Sequence, residues 1–238
     1  MADTLPLKEV VPSNPMTVKT SQGDVTIDIT VVQKHPFQTP AKKIGIRLSG
    51  GADSAIIAYM LAIYKRDYRP DLLLRPVTCV NNFKPYQEIF AKNVVKKITE
   101  LTGVEFDEHY VGQVDGDHYV SQQSTFSNKL YEERKLDIHF MGETMNPPMN
   151  VEDDWNFTGG GRDNSRNDPA PTFVPVCINK PIRNLNKQGV KELYDHFGVT
   201  DTLFPVTRSC EIHTLDFTNH CGRCWFCLER HWGFGRYV

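Results

Sequence analysis

Apolar positions along this chain fall into short alternating runs separated by stretches of helical period, the pattern of strands alternating with helices. Thr17 to Thr20 and Val25 to Val32 alternate around Ser21-Gln22-Gly23-Asp24, which predicts a β-hairpin after a loose, proline-bearing arm over residues 1 to about 16. Lys43 to Leu48 predicts a strand. Ala55 to Ile63 is too long and too alanine-rich for another strand and predicts a buried helix. Asp71 to Val80 predicts a second strand, interrupted or bent at Pro76. Tyr86, Ile89, Phe90, Asn93, Val94, Ile98 and Leu101 share one helical face, with Lys92, Lys96, Lys97 and Glu100 mostly opposite and Gly103 as a C-cap. Val104 to Val111 then predicts a third strand, Ser121 to Lys135 a helix, and Asp137 to Gly142 a fourth strand. Asn146 to Thr172 is rich in Asn, Asp, Gly and Pro, as expected of a functional lid or a disordered segment. Phe173 to Ile178 predicts a last short strand, and Lys187 to Phe197, closed by Gly198, a final amphipathic helix. Such alternation implies right-handed crossovers and an α/β fold built on a doubly wound parallel sheet.

Composition narrows this picture a little. In 238 residues, 27 basic and 29 acidic side chains leave a net charge of −2, so nothing global favours a polyanionic partner. The N-terminus has no basic stretch followed by an apolar one, and the buried helix is far short of the ~20 apolar residues of a membrane span. The expectation is a soluble, cytoplasmic protein with no membrane partner. Three regions are expected: an arm and hairpin over 1–40, the α/β domain over 41–205, and a metal-bound lobe over 206–238.

The chemistry starts at Leu48-Ser49-Gly50-Gly51-Ala52-Asp53-Ser54, between the first parallel strand and its helix. A turn in that position aims unpaired N–H groups and the positive end of the helix dipole at a bound anion. Gly50 and Gly51 allow close approach, and Ser49 and Ser54 add hydroxyl donors. Asp53 would repel phosphate unless a cation lay between them, which points to Mg²⁺. The plainer alternative is a tight turn with a Ser/Asp helix cap. Ligands of such sheets sit beyond the strand C-termini, near the reversal of strand order. The tips Cys79-Val80-Asn81 and Gly142-Glu143-Thr144 should therefore lie beside this loop.

Four of six cysteines, Cys210, Cys221, Cys224 and Cys227, fall near the C-terminus, three of them spaced Cys-x-x-Cys-x-x-Cys. Thiolates so spaced converge on one ion, and Gly222 supplies the turn after the first. All-sulfur ligation points to Zn²⁺ or an iron–sulfur cluster, and a closed four-thiolate site favours structural Zn²⁺. Cys79 and Cys177 read as small core residues rather than nucleophiles.

The Ser-Gly-Gly-x-Asp-Ser string resembles the loop of the PP-loop ATP pyrophosphatases, of the adenine nucleotide alpha hydrolase-like fold. No Gly-Lys-Ser/Thr follows, so it is not a Walker loop. The resemblance implies ATP cleavage between the α- and β-phosphates, with the Ser49–Ser54 loop holding the departing pyrophosphate and the Val80 backbone at the second strand tip contacting adenine. Downstream, Asn179-Lys180-Pro181-Ile182, Leu185-Asn186-Lys187, Thr207-Arg208-Ser209-Cys210 and Cys221-Gly222-Arg223-Cys224-Trp225-Phe226-Cys227-Leu228-Glu229-Arg230 follow in an order similar to the 7-cyano-7-deazaguanine synthases of queuosine biosynthesis. This likeness runs from about Lys43 to the C-terminus. It implies a carbon–nitrogen ligase that adenylates 7-carboxy-7-deazaguanine, lets ammonia displace AMP, and dehydrates the amide with a second ATP. Asp53, Ser54 and Lys187 would be catalytic. Leu48, Ser49, Gly50, Gly51, Asp53, Ser54, Val80 and Gly142 would bind nucleotide, with ATP, Mg²⁺ and Zn²⁺ as cofactors. A solvated helix-start lysine is the alternative for Lys187. Arg162 and Arg166 could clamp a phosphate or carboxylate, although their neighbours read as mobile.

Two segments depart from that pattern. Ser124 to Leu130 stands where the family has Pro-Gly-Arg-Asn, and Asn146 to Asn150 with its polar loop replaces Ser-Gly-Tyr-Pro-Asp. Both fall where an acceptor pocket would be shaped, so another deazaguanine or another carboxylate is an alternative acceptor. A PP-loop sulfurtransferase or tRNA-modifying enzyme is a second reading, and it would need a persulfide-carrying cysteine or a labile cluster. A third is a non-catalytic nucleotide or RNA module using Arg223, Trp225, Phe226, Arg230, His231, Trp232 and Arg236, residues that read more simply as packing of the metal lobe. A homodimer is compatible with the sequence.

Overall fold

The computed structural model describes residues 14–29, 41–80, 86–114, 119–157, 161–174, 178–211 and 220–238. The hairpin expected near the N-terminus is present as β1 (Met16–Thr20) and β2 (Gly23–Ile27), paired antiparallel. Residues 30–32, also expected in it, and Cys177 and Asn81 lie outside the described residues. The parallel core follows as β3 (Lys43–Arg47), α1 (Ala52–Asp67), β4 (Leu73–Val80), α2 (Tyr86–Thr102), β5 (Tyr110–Gln113), α3 (Tyr119–Glu132) and β6 (Ile138–Met141). Two short strands, β7 (Phe173–Val174) and β8 (Ile178–Asn179), and helices α4 (Lys187–His196) and α5 (Trp225–Phe234) complete it. The sheet order is β5-β4-β3-β6-β8-β7, with every neighbour parallel except the edge pair β7–β8. Strand order therefore reverses between β3 and β6, and the crevice beyond their C-terminal ends is the topological switch point.

Local sequence explains most of these elements. Helix α1 is apolar nearly all round, and Ala55 to Ala62 are all buried, because the helix lies sunk between the sheet and α4. Three expectations need correction, the first being that Phe173 to Ile178 is not one strand, since β7 and β8 pair antiparallel with each other. Residues 104–109 are not strand: β5 starts only at Tyr110, because Glu105, Asp107 and Glu108 are exposed and Asp107 is tied instead to Arg75 at 2.8 Å. Pro76 does not break β4, which runs unbroken. Pairing with β5 begins one residue later at Val77, so the position lacking an N–H lies outside that ladder.

The polar stretch 146–172 is anchored by its own side chains over the residues described. Asn146 Nδ2 donates to Asp163 O and Asn167 Oδ1, both at 2.8 Å, and Arg162 pairs with Glu152. Short 3₁₀ turns form at Met149–Val151 and Asn164–Arg166.

One continuous apolar core joins the hairpin, α1, the sheet and the C-terminal helices, from Val18 and Ile27 through Ile56 and Tyr194 to Phe234. The hairpin turn also grips the start of α4. Gln22 Nε2 donates to Asn186 Oδ1 at 2.8 Å, Asn186 N donates to Gln22 Oε1 at 2.9 Å, and Ser21 N donates to Glu192 at 2.7 Å. Asn186 in turn caps α4 by accepting from the Gln188 and Gly189 amides.

His139, on β6, is fully buried, and neither ring nitrogen has a hydrogen-bond partner among the described residues. Burial, reinforced by the nearby Arg47 charge, pushes its pKa down from 6.5 to about 4. The unfolded chain thus takes up a proton near pH 6.5 that the fold refuses until about pH 4. The stabilising contribution is full above pH 6.5 and is lost as pH falls through that window, by up to roughly 3 kcal/mol. Urea unfolding at pH 7 and pH 4.5 should show a smaller acid loss for His139→Leu than for the unchanged protein.

Candidate active site

The site is built from the first turn of α1 outward. Gly51 is the N-cap of α1, so Asp53 and Ser54 belong to the helix rather than to the preceding loop. The first amide with an intrahelical partner is that of Ala55, which donates to Gly51 O at 3.0 Å, leaving those of Ala52, Asp53 and Ser54 without an intrahelical partner and placed for an anion. Gly50 has φ +82°, and a Cβ there would run into the Phe90–Ala91 backbone at 2.9 Å. No other residue type fits that position without strain. Within the loop, Ser54 Oγ donates to Gly51 O at 3.1 Å and lies 3.3 Å from Ser49 Oγ, so the two hydroxyls share one small space. The end of β3 is pinned from the side, where Thr78 Oγ1 donates to Leu48 O at 2.7 Å.

The sheet brings the expected tips together. At the end of β6, Gly142 lies so close to α1 that a Cβ would meet Asp53 C and Ser54 N at 2.6 Å. Val80 is the last residue of β4 and is buried. Lys187, the first residue of α4, is buried and reaches across to pair with Asp53 Oδ2. Tyr194, two helical turns further along α4, donates to Ala52 O at 2.8 Å and holds α4 against the start of α1. A solvated lysine is thereby replaced by a buried one held at the loop.

Of three charged residues at this centre, Glu229 and Arg208 carry no role in the sequence reading, and Arg166, read there as able to clamp a phosphate or carboxylate, is paired within the protein. Glu229, on α5, is fully buried, with Oε2 3.5 Å from Lys187 Nζ and Oε1 accepting from Arg166 Nη2 at 2.9 Å. Arg166 also donates to Thr144 O at 2.7 Å, so the loop expected to be mobile is tied here to the strand tip beyond Gly142. Asp53, Lys187, Glu229 and Arg166 form a chain of alternating charge from the α1 turn to the polar loop. Arg208 is the third. Its amide donates to Gly50 O at 2.8 Å, and its guanidinium lies 5.0 Å from the Tyr86 ring centroid. Arg208 thus links the C-terminal segment directly to the Ser49 loop. The spacing Thr207-Arg208-Ser209-Cys210 was visible in the sequence, but nothing in it signals a backbone bond 158 residues away.

These side chains enclose a cavity of about 170 Å³ bounded by Ser49, Ser54, Asp53, Lys187, Arg208 and Glu229. Two cations and a helix N-terminus face it, which suits a phosphate-bearing ligand. Asp53 Oδ1 is buried without a hydrogen-bond partner among the described residues. An orphaned carboxylate oxygen beside a phosphate-sized cavity fits one ligand position of Mg²⁺, the phosphate oxygens and water supplying the rest.

The second cluster borders the first through Cys210, which also lines the cavity. The sulfur atoms of Cys210, Cys221, Cys224 and Cys227 all lie within 4.8 Å of one another and could hold a metal ion. Cys221 Sγ is 3.8 Å from Cys227 Sγ, and the Arg223 and Cys224 amides point at Cys221 Sγ at 3.5 and 3.3 Å. Trp225 and Arg230, considered above as RNA contacts, are instead fully buried. The Arg230 guanidinium stacks 3.7 Å from the Phe204 ring centroid and donates to Phe204 O and Thr207 Oγ1. Among the described residues no helix is long and apolar enough to cross a membrane.

No protein-family model matches the chain, and no curated protein matches it significantly. Among solved structures it is similar to the U34-tRNA thiolase NcsA of Methanococcus maripaludis, which carries a 4Fe-4S cluster. The identity is 18% over 82% of this chain and 71% of that one, with a TM-score of 0.42. It is also similar to the NAD⁺ synthetase of Burkholderia pseudomallei, at 11% identity over 82% of this chain and 74% of that one, with a TM-score of 0.39.

Proposed function

We propose that the protein is an ATP-dependent carbon–nitrogen ligase that cleaves ATP to AMP and pyrophosphate to activate a carboxylate. The observation that carries this reading is the pairing of Asp53 with Lys187 at a Ser-Gly-Gly-x-Asp-Ser turn, beside an anion-sized cavity also faced by Arg208. A carboxylate oxygen attacks the α-phosphorus, the bond to the α,β-bridging oxygen breaks, and the acyl-adenylate forms. The departing pyrophosphate gathers charge, which the α1 amides, Ser49, Ser54, Lys187 and Arg208 are placed to stabilise. Mg²⁺, held through Asp53, would supply further neutralisation at the leaving group. Leu48, Val80 and Gly142, at three adjacent strand tips, would receive the nucleoside.

The acceptor of this reading is 7-carboxy-7-deazaguanine or a related deazaguanine. Ammonia displaces AMP to leave an amide, and a second ATP activates the amide oxygen so that loss of AMP leaves the nitrile. Support for it is the order of sequence motifs from Lys43 to the C-terminus. For the cysteine cluster we propose one structural Zn²⁺. Tetrahedral bonds of about 2.3 Å put thiolates about 3.8 Å apart, close to the Cys221–Cys227 separation. In an iron–sulfur cluster thiolates on different irons lie further apart than the 4.8 Å within which all four sulfurs fall.

The test is ATP labelled in the α- and γ-phosphates, incubated with Mg²⁺, ammonium and the carboxylate. AMP and pyrophosphate are the expected products, and accumulation of ADP with phosphate would sink the assignment.

A further inference from the structure

We propose that Arg47 is the carboxylate-recognising residue of the acceptor pocket, and that this pocket is a second cavity on the far side of the Ser49–Ser54 turn. This names the acceptor's half of the same centre and rests on the ligase reading for the acceptor's role. The cavity holds about 130 Å³ and is lined by Arg47, Cys79, Gln123 and Ser127 together with Leu48, Ser49 and Gly142, which the nucleotide would share. Arg47 ends β3, in register with Val77 of β4 and Met141 of β6, so it stands at the C-terminal edge where the strand order reverses.

The state of its guanidinium is the central observation. Nε and Nη2 are buried and have no hydrogen-bond partner among the described residues. Nη1 has only distant neighbours, Ser124 Oγ at 3.5 Å and Met141 Sδ at 3.9 Å. Among the described residues, Glu143 acts on it electrostatically but forms no ion pair with it. Glu143 spends its two oxygens on Lys180 and Arg183, each at 2.7 Å. Burial pushes the Cys79 thiol up to about 11, so it is neutral at physiological pH, and His139 is neutral as well. A buried cation without a counter-ion is costly, and a bound anion removes that cost.

Geometry selects the anion. Nε–H and Nη2–H are the two parallel donors of the guanidinium that form a bidentate fork with two coplanar acceptor oxygens. A carboxylate matches that fork. The edge of adenine does not, because it sets an acceptor nitrogen beside a donor amino group. The phosphates of ATP have their own cations, Lys187 and Arg208, in the other cavity. Ser49, Ser54 and Gly142 line both cavities, so a carboxylate held by Arg47 sits across the turn from the phosphate site it must attack.

The experiment is calorimetric binding of 7-carboxy-7-deazaguanine and indole-3-carboxylate, each against its carboxamide, to the unchanged protein, Arg47→Gln and Arg47→Lys. The unchanged protein should bind at least one carboxylate about tenfold or more tightly than its amide. Both variants should lose that preference, since lysine keeps the charge but not the fork. Binding of ATP with Mg²⁺, measured in the same samples, should stay within about twofold and also reports that each variant is folded. Retention of the preference in a variant that still binds ATP overturns the proposal, as does equal binding of carboxylates and amides by the unchanged protein. Pyrophosphate release separates the two readings. Arg47-dependent carboxylate binding without ATP cleavage discards the ligase and keeps this pocket, whereas cleavage with an acceptor preference indifferent to Arg47 does the reverse.

Discussion

Asp53→Asn should lower turnover by roughly a thousandfold while the protein still folds. The substitution keeps size and shape at the start of α1 but removes the negative charge that meets both Lys187 and any cation on the phosphates. Lys187 keeps Glu229 at 3.5 Å, and Glu229 keeps Arg166 at 2.9 Å, so no buried charge is stranded and the loss of stability should be about 1 kcal/mol. Lys187→Met makes the contrast. It leaves Asp53 without its cation and takes from the fully buried Glu229 one of its two, so it should cost both turnover and about 3 kcal/mol of stability. Chemical denaturation and ATP–pyrophosphate exchange, measured on both variants, separate the two effects. An Asp53→Asn protein that exchanges pyrophosphate at more than a tenth of the normal rate would remove this carboxylate from the chemistry.

The contrast between these two residues also shows what a sequence can carry. The Ser49–Ser54 string was legible because its chemistry is local: glycines, hydroxyls and a carboxylate lie within six positions, between a strand and a helix. The parallel order was legible from the alternation of periods, and it correctly brought Gly142 against Asp53. The Arg166–Glu229–Lys187 chain was not legible, since its members are 21 and 42 residues apart in sequence and none sits in a charge pattern of its own. Polar composition suggested that residues 146–172 are loose. Composition reports how many apolar groups a segment can bury, and says nothing of whether its Arg and Asn side chains find partners, as Asn146 and Arg166 do. The hairpin was visible as two strands, but its use as a brace for the start of α4 depends on Gln22 meeting Asn186 across 164 positions.

Removing the proposed Zn²⁺ should damage the protein at two distances. Cys224 directly precedes α5, and Cys227 lies within its first turn, so an ion held by Cys210, Cys221, Cys224 and Cys227 fixes where α5 begins. The sulfurs and their aromatic neighbours, Phe226 and Tyr237, form a cluster of their own, apart from the main core that Phe234 joins at the far end of α5. Metal-binding energy there is folding energy, on the order of 10 kcal/mol for small zinc sites. Cys224→Ser should therefore lose most of the proposed zinc and loosen residues 209–211 and 220–229, seen as lost amide protection in hydrogen exchange. The second effect reaches the active site. Glu229 stands two residues beyond Cys227 on the same helix, and Arg208 two before Cys210, so both cavity-facing residues lose their support when the lobe loosens. Pyrophosphate exchange should fall in step with zinc content and return when zinc is restored to chelator-treated protein. Full zinc occupancy in Cys224→Ser, or iron–sulfur absorption in the unchanged protein, would count against the proposed ion. Exchange activity that survives complete removal of the metal would uncouple the lobe from the chemistry and leave it a purely structural appendage.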